Sequence, residues 1–73
     1  HRILHIHRNV PGVLSRINEL FSREGVNIDG QYLRTDAKVG YVVIDIASTP
    51  EITSRMRAAL NGIEGTLRTR VLY

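Results

Sequence analysis

The residues best able to do chemistry stand close together, in the stretch HIHRNVPGVL from His5 to Leu14. It reads as a strand end, a polar turn and a helix start. Pro11 near a helix start wastes no hydrogen bond, since its missing N–H would be unpaired there anyway. The backbone amides of Gly12, Val13 and Leu14 are then free donors at the positive end of a helix dipole, which suits a carboxylate or a phosphate. Gly12 carries no side chain to hold a ligand off the backbone. His7 and Asn9 flank this mouth. Asn9 is equally a good cap for the helix that follows. His5 and His7 form an HxH pair that can begin a metal site, but only His1 remains as a third imidazole, so the pair reads as a polar open sheet face and no metal is expected. Asn27, one residue into a strand, reads as a turn exit. Ser15, Ser22, Ser48 and Ser54 lie in helices or caps, none on a nucleophile elbow. Asp29, Asp36 and Asp45 fall on separate segments, so no carboxylate pair forms. No catalytic residue is expected.

The elements that must position these groups follow from periodicity. Residues 2–8 alternate as strand one, with Leu4 and Ile6 on one face and His5 and His7 on the other. Residues 11–24 carry a helical stripe of Val13, Leu14, Ile17, Leu20 and Phe21, ended by Gly25. Residues 26–35 read as strand two, where Gly30 signals a bulge or a close backbone approach. A hairpin turn over 36–40 leads to strand three, 41–47, apolar enough on both faces to be central. Ser48 with Glu51 three residues on starts helix two, which runs to Asn61 with Ile52, Met56, Ala59, Leu60 and Ile63 inward. Residues 66–72 form strand four, with Leu67 and Val71 inward and Arg68 and Arg70 outward. The order βαββαβ gives an α+β, ferredoxin-like sandwich: a four-stranded antiparallel sheet with two helices on one face. Its open edges favour pairing with another copy.

Composition narrows the function. The chain has 73 residues, 42 % of them apolar, which supports one small packed domain. Its first residue is His, which reads as a piece of a longer protein. No run approaches the ~20 apolar residues of a membrane span. There is no cysteine, so no disulfide or thiolate metal site. A net charge of +3 comes from scattered basic residues, with only Arg68 and Arg70 close together near the end. That favours neither a nucleic-acid nor a membrane partner.

At HIHRNVPGVL, with GVNIDGQYLRTD and GYVVIDI following and GTLRTRVLY closing the chain, the sequence resembles an ACT domain over essentially its whole length. The NVPGVL turn is shared widely among ACT domains. The HIH–N–PGVL start, with GVNI, QYL and GYVVIDI, is similar to the C-terminal regulatory domain of bacterial D-3-phosphoglycerate dehydrogenases. The resemblance implies a single ACT regulatory domain, residues 1–73, of a cytoplasmic, NAD-dependent enzyme of serine biosynthesis. It implies that L-serine binds between two copies and feeds back on that enzyme. His7 and Asn9 of one copy and Asn27 of its neighbour would hold the serine, and the copies would join through strand two and helix one into an eight-stranded sheet. NAD would belong to the catalytic part, so the domain itself would hold no cofactor and do no chemistry. The donor set suits the ligand: asparagine oxygens accept from an ammonium, and the helix-one amides and His7 donate to a carboxylate. The alternatives are an ACT domain sensing another amino acid and an RNA-binding βαββαβ module. The second needs stacking aromatics on strands one and three, where only Tyr41 stands. An acyl-phosphate hydrolase of similar strand order would need more than Arg8 and Asn9.

Overall fold

The computed structural model describes all residues from His1 to Tyr73. β1 (Arg2–Arg8) and β3 (Val39–Ile46) form the centre of a four-stranded antiparallel sheet, with β2 (Ile28–Thr35) on the β3 side and β4 (Thr66–Val71) on the β1 side. α1 (Val13–Arg23) and α2 (Pro50–Asn61) cover one face. The βαββαβ order and the central place of β3 agree with the sequence expectation.

α1 starts two residues later than periodicity suggests. Gly12 sits at φ 89°, in the left-handed region, where a helix cannot begin. Its stripe of Val13, Ile17, Leu20 and Phe21 is buried as expected. α2 is capped by Thr49, whose hydroxyl accepts from the Ile52 amide at 3.3 Å, not by Ser48. Pro50 then occupies the first helical position, where no N–H is needed. The bulge expected at Gly30 is present, as a register shift between Ile28 and Gly30.

The facing of β1 is the reverse of the sequence expectation for its histidines. Ile3, His5 and His7 point under the helices and are buried, while Leu4 and Ile6 lie half-buried on the open face. Register decides this: Ile3 and His5 stand opposite Ile44 and Val42, which α1 and α2 must cover. On β4 the outward placement of Arg68 and Arg70 holds. Val71 has the inward parity, opposite Ile3, but is exposed on this edge strand; Leu67 falls at the register shift, where Thr66 instead stands opposite His7, and it too is exposed, so only Thr69 is buried there.

Gly40 belongs to β3 rather than to the turn, and it makes room for a side chain. A Cβ there would lie 2.6 Å from His7 Nε2 and 3.1 Å from His7 Cε1. The imidazole cannot easily retreat, because it stacks on His5 with centroids 5.4 Å apart. Gly40→Ala should therefore lower the unfolding free energy by about 1–3 kcal/mol, the usual cost of overpacking. His7→Ala in the same chain should recover part of that loss. Urea midpoints of the two single variants and the double variant check this; a Gly40→Ala chain as stable as the parent would show that the ring swings aside freely.

Candidate ligand site

β1 ends beside the β2–β3 hairpin, and there the side chains singled out by sequence begin to meet. The hairpin turn is built on Asp36. Its Oδ1 accepts from the Lys38 and Val39 amides, both at 2.8 Å. Those two backbone donors, Val39 first, hold the Asp36 carboxyl below its usual range. Asn9 docks on this turn: its amide donates to Lys38 O at 2.9 Å and its Nδ2 donates to Asp36 O at 2.7 Å. Asn9 is thus not the cap of α1. That position is Gly12, which offers no side-chain acceptor. With Nδ2 committed to a carbonyl, Asn9 Oδ1 is left as a free acceptor.

The first turn of α1 opens close by. Arg16 is the first helical amide with a backbone acceptor, Gly12 O at 3.1 Å, and the amides of Val13 and Leu14 have none within the chain. A Cβ at Gly12 would meet nothing within 4 Å, so its backbone faces open space. His7, at the end of β1 leading into this turn, is only 3 % exposed, and its Nδ1 is buried without a partner. A buried, unpaired ring nitrogen costs free energy until something pairs with it.

Asn27 lies elsewhere. It is exposed, just before the first residue of β2, whereas Asn9 lies past the last. The eight residues of β2 separate them by roughly 25 Å at about 3.3 Å per residue. His7, Asn9 and the α1 amides thus belong to one short stretch of the chain, residues 7–14, from which Asn27 is remote. Sequence reasoning passed over a cleft of about 310 Å³ at the other flank of the α1 start, lined by Arg8, Val10, Pro11, Arg16, Glu64 and Gly65. Arg16, one turn into α1, was the available signal. His7, Asn9 and Asn27 line none of it.

The neighbouring histidine is committed to the core. His5 Nε2 lies 2.8 Å from Thr66 Oγ1, which donates to Leu60 O at 3.0 Å. Burial, and secondly the adjacent His7, push the His5 pKa down to about 4; burial also lowers that of His7. No group of three or more His, Cys, Asp or Glu side chains converges anywhere in the chain. No helix is long and apolar enough to cross a membrane.

The geometry defines an α+β βαββαβ module with an open helix start, and comparison with known proteins assigns its family. The chain belongs to the ACT-domain family: the model of the AHAS small subunit-like ACT domain matches residues 3–68. It is 49 % identical over 72 residues to the D-3-phosphoglycerate dehydrogenase of Escherichia coli K12, covering 99 % of this chain and 18 % of that protein. With the Haemophilus influenzae enzyme of the same name it shares 47 % over 72 residues, covering 99 % of this chain and 17 % of the relative. The chain thus spans less than a fifth of the length of these relatives. Among solved structures, the acetolactate synthase small subunit of Thermotoga maritima superposes with a TM-score of 0.85 at 18 % identity, over 96 % of this chain and 45 % of that one.

The two histidines give the fold a pH dependence with a definite sign. An unfolded histidine titrates near 6.5, whereas His5 in the fold titrates near 4. Above pH 6.5 both states are neutral and stability is level. As pH falls from 6.5 toward 4 the unfolded chain takes up a proton that the fold excludes, and stability drops by up to about 3 kcal/mol from His5. Melting temperatures at pH 7 and pH 5 should differ accordingly, and His5→Gln should flatten the slope. An unchanged slope in that variant would relieve His5 of the role.

Proposed function

We propose that this chain is the L-serine-sensing regulatory domain of a D-3-phosphoglycerate dehydrogenase, and that serine held between two copies inhibits the enzyme. The observation that carries the reading is the separation of Asn9 and Asn27 at opposite ends of a free sheet edge. Two copies joined antiparallel along β2 set the start of one strand against the end of the other. Asn27 of one copy then approaches the hairpin and Asn9 of its neighbour. Each of the two resulting sites would have the ligand carboxylate at His7 and the Gly12, Val13 and Leu14 amides, and the ammonium at the asparagine oxygens. The similarity to the Escherichia coli and Haemophilus influenzae enzymes supports the dehydrogenase as the parent protein, and the family resemblance implies serine as the ligand. A second reading, an ACT domain sensing another amino acid, is favoured by the matching AHAS small subunit-like model.

Calorimetric titration with individual amino acids decides between the two readings. L-Serine should bind and raise the melting temperature with concentration; a shift with a different amino acid alone would keep the fold and discard serine. Asn27→Ala should weaken serine binding by about 1–3 kcal/mol, the cost of stranding a polar partner, with little change in the ligand-free melting point, since Asn27 is exposed. Asn9→Ser should weaken binding too, and should lower stability by about 0.5–1.5 kcal/mol because the bond to Asp36 O goes with it. A mixed pair of the two variants should keep one normal site and one doubly impaired site. Equal impairment of both sites would mean that Asn9 and Asn27 do not meet across the interface.

A further inference from the structure

β4 is the sheet edge farthest from β2, and backbone alternation fixes what it offers. Leu72 donates to Arg2 O at 2.8 Å, and Arg70 and Arg68 stand opposite Leu4 and Ile6. The amides of these even-numbered residues turn toward β1, so those of Thr69 and Val71 point out of the sheet. α2 sets Arg57 against this edge. Arg57, Arg68, Thr69, Arg70 and Val71 line an open cleft of about 280 Å³. No carboxylate is among them. The chain's two ion pairs, Arg2–Asp45 and Arg55–Glu24, use other arginines. Arg57, Arg68 and Arg70, none of them in either ion pair, therefore line one cleft, a local excess equal to the net charge of the whole chain, +3. Each guanidinium presents a planar fork that matches two oxygens of a phosphoryl group. Outward amides add neutral donors of the kind that line anion-binding concavities. An amino acid suits this cleft badly, because its ammonium would face three cations.

We propose that this cleft binds a small phosphate-bearing polyanion, with Arg57, Arg68 and Arg70 pairing its oxygens and the Thr69 and Val71 amides as further donors. The site lies three strand spacings, about 14 Å, from the β2 edge, so its occupancy leaves that edge free.

The test is titration of the 73-residue chain with inorganic pyrophosphate, followed by amide NMR and calorimetry. Citrate and sodium chloride at matched ionic strength serve as comparisons. Pyrophosphate should saturate one site per chain and move the Thr69 and Val71 amide resonances. Arg57→Gln, Arg68→Gln and Arg70→Gln should each weaken it about tenfold or more, as loss of a charge-assisted pair does. Arg34→Gln, which removes the same charge from exposed β2, should change affinity by no more than about twofold. Melting temperatures near the parent's would show that the variants are folded. Non-saturating binding that chloride reproduces would overturn the proposal, as would an Arg34→Gln loss equal to the others. Resonance changes confined to Gly12–Ser15 would put the anion at the start of α1 and also overturn it. Citrate binding as tightly as pyrophosphate would overturn the assignment to phosphate.

Discussion

One short hydrogen-bond relay ties three elements together, and the arrangement of the core depends on it. The Thr66 hydroxyl has a single proton, and Leu60 O, which can only accept, takes it at 3.0 Å. The same oxygen must therefore accept from His5 Nε2 at 2.8 Å. That fixes His5 as the neutral tautomer protonated at Nε2 and leaves Nδ1 bare. β1, the start of β4 and the end of α2 are joined through one hydroxyl. A histidine in the middle of an apolar layer is tolerated because half of its polarity is satisfied this way. The rest is unpaired: His5 Nδ1, His7 Nδ1, Thr53 Oγ1 and Thr69 Oγ1 are all buried without partners. The core thus combines a well-packed aliphatic cluster around Phe21, Ile44 and Met56 with a polar seam that holds only while its histidines are neutral.

Much of the fold was legible because local signals agreed with one another. The helical stripe of α1, the alternation of β3 and the glycine at the β2 bulge each pointed to the observed element. The facing of β1 was not legible. Leu4 and Ile6 outweigh the lone Ile3 on hydrophobicity, so a strand read in isolation turns its histidines outward. The answer lies in the register with β3, whose Val42 and Ile44 carry Ile3 and His5 inward with them. The reversal leaves Leu4, Ile6 and Val43 half-buried on the open face, so β1 presents aliphatic side chains where a base-stacking sheet would present aromatics. The cap alternative for Asn9 fails for a similar reason. Its type fits a helix start, but Gly12 adopts a conformation that moves the start beyond its reach.

The polar residues of the candidate site were identifiable by type, yet their grouping was not. His7, Asn9 and the first amides of α1 are sequence neighbours, within residues 7–14. Asn27 is separated from them by the full length of β2, a distance that no inspection of residue types reveals. The arginines show the converse. Arg57 is eleven positions from Arg68, and a scan for basic runs finds only Arg68 and Arg70. The packing of α2 against β4 is what collects all three.

Asp36 has a consequence for how this chain tolerates change in length. The tip of a β-hairpin is normally where a protein accepts insertions most readily. Here one residue does several jobs within four positions. Its side chain closes the turn onto Lys38 and Val39, its amide donates to Val39 O, and its carbonyl orients Asn9. An added residue between Asp36 and Val39 would break the turn and displace the carbonyl that sets the direction of the Asn9 amide. Sequence at the exposed positions Ala37 and Lys38 can drift with little effect, but the spacing cannot. An exposed turn can thus be free in sequence and fixed in length.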